Sequence, residues 1–175
     1  MIVYKLTDEN DKTHGGMQWG KNVTHEADGK SESLCNNHWL HAYSDPWLAI
    51  VMNPAHANFQ HPHLWECDGD VGLDTGDKIG CTKLTTIKRI RKPRPTKTQM
   101  RKFAILCALE VYDLWEKYDK DGIWKKWADG WLKGKRGDAA GTARDARAAA
   151  GAAAWAAWDA DNKINLKEIA IEAQK

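Results

Sequence analysis

Between Ala139 and Ala160 more than half of the residues are alanine, whereas all seven histidines fall between His14 and His63. An alanine-rich stretch of this length favours helix at nearly every interior position, despite Gly141 and Gly151. The C-terminal part of the chain is therefore committed to α-structure. The first part is committed otherwise. It carries the histidines together with Trp19, Trp39, Trp47 and Trp65, short apolar runs and closely spaced turn residues. The fold class expected is α+β: a small N-terminal mixed or antiparallel sheet with one buried helix, followed by a C-terminal α-helical bundle. Side chains suited to ligand and proton chemistry are confined to the first part.

At 175 residues the chain suffices for one domain, or for a domain with a helical appendage. Such a length buries roughly 70% of its unfolded surface and needs no disulfide or metal to fold. With only two Phe, core volume has to come from indoles, each burying about 150–250 Å². Cys35, Cys67, Cys81 and Cys107 include no CxxC pair and read as buried thiols of a reducing compartment. The opening MIVYKLTDEN lacks the basic and apolar regions of a signal peptide, and no run reaches the ~20 apolar residues of a membrane span. The expected location is cytoplasmic, with no membrane partner.

The net charge of +2 conceals a segregation. Residues 1–87 hold 6 Lys/Arg against 12 Asp/Glu, residues 88–102 hold eight basic residues and no acid, and residues 103–175 balance at 12 against 12. Pro93 and Pro95 interrupt the basic run, which fits a connector. The organisation expected is a β-rich α+β domain over 1–92, a basic proline linker over 93–97, and a helical domain over 98–175 with its alanine-rich helix at 139–160.

Local signals fill in the elements. Ile2–Leu6 predicts an opening strand, and Trp39–Tyr43 another. Asp45 is placed as an N-cap with Pro46 at the first helical position, where the missing N–H costs nothing. That helix is apolar on nearly all sides and ends at Asn53-Pro54. Leu64–Cys67 predicts a strand, Asp68–Asp77 a Gly/Asp loop, and Lys78–Cys81 with Leu84–Ile90 a closing hairpin. Thr96 and Gln99 form a capping-box pair. The helix they open presents Phe103, Cys107, Val111 and Leu114 on one stripe, widened by Leu106 and Leu109. Trp124, Trp127 and Trp131 mark one face of a second helix. Ala143, Ala146, Ala150, Ala153 and Ala157 form a narrow face of a third, and Ile164, Leu166, Ile169 and Ile171 belong to a last one.

Chemistry concentrates between Cys35 and Glu66. His and Cys are the usual zinc ligands, but no HExxH or paired finger spacing is present, so neither a metal nor a cofactor is assigned. Asp119–Gly122 and Asp159–Lys163 lack the ligand set of a calcium loop. A small-ligand pocket fits better, because Trp and Tyr faces stack on planar groups while His, Asn and Gln give directional hydrogen bonds. The competing reading is a core in which indoles stand in for Phe. The candidate contact residues are Gln18, Trp19, His25, His41, Tyr43, Asn53, His56, Asn58 and Glu66. Lys88, Arg89, Arg91, Lys92 and Arg94 are a candidate basic contact for phosphate or an acidic protein; a solvated connector is the stronger reading, and nucleic acid the weaker partner.

GGMQW (15–19), His25, Leu34-Cys35, WLHAYSDPWLA (39–49), NPAHANF (53–59) and LWE (64–66) resemble an uncharacterised domain family of tailed bacteriophages and their hosts. Its members continue, as this chain does, into an FAILCALEV helix and an Ala/Trp/Arg-rich tail. The resemblance implies a phage or prophage origin and supplies no activity.

Two functions follow as expectations. The preferred one is a non-enzymatic phage protein that binds and inhibits a host anti-phage component or sequesters a small nucleotide-type ligand. The alternative is an ADP-ribosyltransferase-like enzyme on a nucleotide, with Glu66 orienting a ribose hydroxyl and His41 and Tyr43 holding the dinucleotide. The sequence does not decide whether there is catalysis. The alanine face also suits a homodimer contact.

Overall fold

A computed structural model describes residues 1–135 and 164–175 of the chain. The expected helix over 139–160, and with it the alanine face, lies outside the described residues. The chain divides into two units, Met1–Arg94 and Pro95–Lys175. The protein is α+β, with one antiparallel sheet and five α-helices among the described residues.

The first unit contains β1 (Ile2–Thr7), β2 (Thr24–Glu26), β3 (Leu40–Ala42), α1 (Pro46–Met52), β4 (His63–Asp74) and β5 (Ile79–Ile90). Strand β1 pairs with β4 and β4 with β5, while β2 and β3 both pair with the far edge of β5, all antiparallel. Tyr4 and Tyr43 then exchange two backbone hydrogen bonds of 2.8 Å each. That exchange joins the free edge of β1 to the end of β3, so the sheet curls back on itself. Val3, Trp19, Leu40, Ala42, Trp65, Cys67, Ile79, Cys81 and Leu84 fill its inside. Helix α1 packs against β1. Asp45 caps it, accepting from the N–H groups of Trp47 and Leu48, and Trp47, Leu48, Ala49, Val51 and Met52 are buried.

Three sequence expectations need correction. Asp68–Asp77 is not a loop: β4 runs on to Asp74, and Lys78–Cys81 with Leu84–Ile90 is not a separate hairpin but the single strand β5. The glycines that mark a loop in the sequence are here the close-approach points of the sheet. A Cβ on Gly69 would meet Cys81 Sγ at 2.9 Å, and one on Gly72 would meet the Trp39 ring at 2.5 Å. Register shifts between Glu66 and Cys67 and between Asp70 and Leu73 bend the pair around that ring. Cys35 is exposed rather than buried, whereas Cys67, Cys81 and Cys107 are buried. Strand β2 is an addition the sequence did not signal.

The second unit contains α2 (Lys97–Glu110), α3 (Tyr112–Trp115), α4 (Ile123–Leu132) and α5 (Leu166–Gln174). The capping box of Thr96 and Gln99 is present with both of its hydrogen bonds. Helix α2 stops at Val111, so Leu114 leaves the expected stripe and is exposed, while Phe103, Cys107 and Val111 are buried. Ile105, Ala128 and Trp131 form the core between α2 and α4, flanked by the half-buried Trp124 and Trp127. Asp119 belongs to no calcium loop: its carboxylate accepts from the N–H groups of Trp124 and Lys125 at the start of α4. Helix α5 packs on α2, with Lys102 Nζ donating to Glu172.

Candidate functional site

Because Leu40 and Ala42 point into the core, the two-residue alternation of β3 puts His41 and Tyr43 on the opposite face of the sheet. On that face Tyr43 lies beside Tyr4, Tyr4 beside Glu66, and Glu66 beside Lys88 in a single cross-strand row. His41, Tyr43 and Glu66 are thus brought to one face, with the backbones of Tyr43 and Glu66 about 10 Å apart across β1. The Glu66 carboxylate takes an ion pair from Lys88 at 3.1 Å.

His56 reaches this face from the loop after α1. Its ring lies nearly parallel to that of Tyr43, with centroids 5.9 Å apart. Its Nδ1 lies 3.2 Å from the Tyr43 hydroxyl and its Nε2 3.2 Å from Asp77 Oδ2. Asp77 also accepts from Thr75 Oγ1 at 2.5 Å and from the Lys78 N–H at 2.8 Å. A carboxylate accepts only, so Nε2 donates to Asp77, and in the neutral imidazole Nδ1 then accepts from the Tyr43 hydroxyl. The result is a continuous chain Asp77–His56–Tyr43 in which both imidazole nitrogens are engaged. Burial acts to raise the Asp77 carboxyl, but the hydrogen bonds from His56 and Thr75 hold it below its ordinary value. Burial, with the charge of Asp77, pushes the Tyr43 hydroxyl well above its ordinary value. His41 is lowered by burial and donates through Nε2 to the Leu34 carbonyl.

The loop carrying His56 is clipped by Asn53, whose amide donates to Phe59 O at 2.9 Å and accepts from the Phe59 N–H at 3.2 Å. Asn58 sits in that turn at φ +51°, with its side chain exposed. The other candidates lie elsewhere. Trp19 is 2% exposed and belongs to the core, its Nε1 donating to Thr13. Gln18 spends its amide on the carbonyls of Asn10, Asp11 and Trp19. His25 donates to Gln18 O and meets the edge of Trp19. Of the basic candidates, Lys88 and Arg89 are paired within the fold, whereas Arg91, Lys92 and Arg94 are exposed.

Three residues that sequence reasoning missed organise the unit. Asp77 anchors the chain just described. Asp11, at φ +59°, accepts from His63 Nδ1 at 2.8 Å, Trp65 Nε1 at 3.2 Å and Arg89 Nη2 at 2.5 Å, and Arg89 also lies over the Trp65 ring. Lys5, 5% exposed, points into the curl of the sheet. Its Nζ donates to His41 O at 2.9 Å and lies 4.6 Å from the Trp19 ring centre. Burial pulls its ammonium down to about 8. The signal for Lys5 was its alternation with Val3 and Thr7; for the aspartates there was none beyond their places in turns.

Six of the seven histidines are therefore loop fasteners. His14, His25 and His41 donate to the carbonyls of Ala57, Gln18 and Leu34, and His38, His56 and His63 pair with Asp28, Asp77 and Asp11. No group of three or more His, Cys, Asp or Glu that could hold a metal ion occurs among the described residues, and no helix among them is long and apolar enough to cross a membrane. No family model matches the chain, and no curated protein or solved structure matches it either.

Proposed function

We propose that this chain is a phage-encoded, non-enzymatic binding protein that sequesters or inhibits a component of the bacterial host's anti-phage defence in the host cytoplasm. Its ligand, a host protein or a small nucleotide-type molecule, meets the sheet face of His41, Tyr43, His56 and Glu66. The observation that carries this reading is the closed Asp77–His56–Tyr43 chain. His56 is held between Asp77 and Tyr43, and burial pushes the Tyr43 hydroxyl well above its ordinary value, so the three side chains keep one fixed geometry. Burial also raises the thiols of Cys67 and Cys81, to about 12 and about 11. What remains is a preorganised face on which the half-buried His41, His56 and Glu66 side chains stand around Tyr43, which is what recognition needs. The phage setting rests on the motif resemblance, and a homodimer through 139–160 on the alanine pattern alone.

The test is retention from host lysate on the immobilised protein, with mass spectrometry of proteins and small molecules, comparing wild type with Tyr43→Phe and His56→Gln. Loss of a retained species in both variants is expected; a wild type that retains nothing sinks the reading. One observation favours the second reading, a nucleotide-acting ADP-ribosyltransferase-like enzyme: Glu66 shares a cross-strand row with Tyr43, on the face that also carries His41. Nicotinamide release from NAD, abolished in Glu66→Gln, would establish it in place of the first.

A further inference from the structure

We infer that the extended segment Arg91–Arg94 is a second binding site, independent of the sheet face, that takes the phosphate-lined minor groove of duplex DNA. The fold separates residues 88–94 of the basic run into two parts. Lys88 and Arg89 are still in β5 and are paired with Glu66 and Asp11, the latter arginine also lying over Trp65. Those two cations belong to the architecture. After Ile90 the ladder ends, and the chain runs without helix or strand from Arg91 to Thr96. Arg91, Lys92 and Arg94 are exposed, and no ion pair forms on any of them among the described residues.

The backbone suits a narrow site. Pro93 and Pro95 lack N–H groups and hold φ near −65°, which keeps the segment extended and removes donors that would otherwise need partners. An extended strand bearing arginines is slim enough for the minor groove, about 6 Å wide, whereas a helix or β-ribbon needs the major groove. The segment has no aromatic or large aliphatic side chain after Ile90. That disfavours a protein partner, whose affinity depends on buried apolar and aromatic anchors. It equally disfavours single-stranded nucleic acid, which is held by base stacking on aromatic side chains. Phosphate contact needs only the charge and reach present here. The acidic balance of residues 1–87 opposes approach of DNA through the rest of the first unit.

The number of free cations sets a measurable quantity. Three phosphate contacts give a slope of about −2.7 in log affinity against log salt, hence about 40-fold weaker binding at 200 mM than at 50 mM salt. The experiment is fluorescence anisotropy of the full chain with labelled A·T-rich and G·C-rich 20-base-pair duplexes, the same A·T-rich strand single, and polyglutamate as competitor. Binding of the duplexes with that slope, tighter for the A·T-rich one, is expected. The triple variant R91A/K92A/R94A is expected to lose tenfold or more at 50 mM salt and to flatten the slope. K12A/K21A/K30A removes the same charge from exposed positions elsewhere and is expected to change affinity less than twofold. No duplex binding at 50 mM salt overturns the proposal, as does equal loss in the two triple variants. Preference for the single strand, or displacement of duplex by polyglutamate at equal charge, overturns it in favour of a general anion contact. Because the measured wild-type slope stands on its own, a variant that fails to fold does not remove the test. Lysate retention on the sheet face is unaffected by any of these results.

Discussion

Replacing Lys5 by methionine should stabilise the protein, although it removes a hydrogen bond and a cation–π contact. Lys5 is 5% exposed, and burial draws its ammonium from 10.5 to about 8. At 1.36 kcal/mol per unit, that drop corresponds to about 3 kcal/mol of cost for holding the charged form inside the fold. The folded value lies below the unfolded one, so the unfolded chain binds more protons between the two. The cost is therefore fully present below pH 8 and is relieved as pH rises towards 10.5. Methionine matches the aliphatic stem and fills the space over Trp19, but it leaves His41 O without its donor, a loss of about 1 kcal/mol. The balance is a gain of about 2 kcal/mol at pH 7 for Lys5→Met, shrinking to nothing or reversing above pH 10. Urea unfolding of both proteins at pH 7, 9 and 10.5, followed through first-unit amide resonances, measures the gain. A ¹³Cε titration of the lysines, assigned by the signal missing from the variant, measures the midpoint directly. A Lys5 midpoint above 10, or a variant less stable than wild type at pH 7, refutes the reasoning.

Other consequences are more local. Gly72→Ala and Gly80→Ala place a methyl against the Trp39 ring, at 2.5 Å and 2.8 Å, and should each cost about 1–3 kcal/mol in urea unfolding. Gly20→Ala, whose Cβ would meet only Val23 at 3.5 Å, should change stability by under about 0.5 kcal/mol; equal effects at all three positions would contradict the glycine slot. Asp45→Ala removes the acceptor of two N–H groups at the start of α1 and should cost about 1 kcal/mol, with hydrogen exchange accelerating at Trp47 and Leu48 before it does in β4.

What the sequence disclosed about this fold was whatever lies within a few residues. Asp45 with Pro46, and Thr96 with Gln99, announce helix starts because the orphan N–H groups they serve are two or three positions away. The β4–β5 pair stayed hidden for the converse reason. Gly69, Gly72 and Gly80 carry the composition of a loop, and only the arrival of Trp39, Cys81 and Val3 from elsewhere explains them as strand positions. The candidate site shows the same division. His41, Tyr43 and His56 were visible as chemistry-bearing side chains, but Asp77 is 21 residues from His56 and Asp11 is 52 from His63. Nothing local marks an aspartate in a polar turn as the anchor of a histidine.

Why a unit with so few large aliphatic residues outside its strands should gather seven histidines then has a mechanical answer, and that answer has its own pH signature. The stretch from Asp8 to His38 has only a three-residue strand, so directional bonds must fix its loops in place of packing. Imidazole suits that task, since it reaches a distant carbonyl or carboxylate with a rigid ring and is neutral at physiological pH. Fasteners of this kind weaken on acidification in two separate stages. Burial lowers His41 below its ordinary 6.5, so the unfolded chain takes up that proton first, and stability falls as pH drops below 6.5. For Asp11 and Asp77 burial acts upward, but hydrogen bonds from His63 and from His56 and Thr75, with the charge of Arg89 near Asp11, hold both carboxyls below 3.8. Their contribution is therefore present above pH 3.8 and disappears only as pH falls through the lower folded values. Urea midpoints measured from pH 8 to pH 3 should show a shallow loss beginning near 6.5 and a steep one below 4. His41→Gln, which keeps a donor for Leu34 O, should remove the first and leave the second. Persistence of the shallow loss in that variant would show that the histidines fasten the loops without sensing acid.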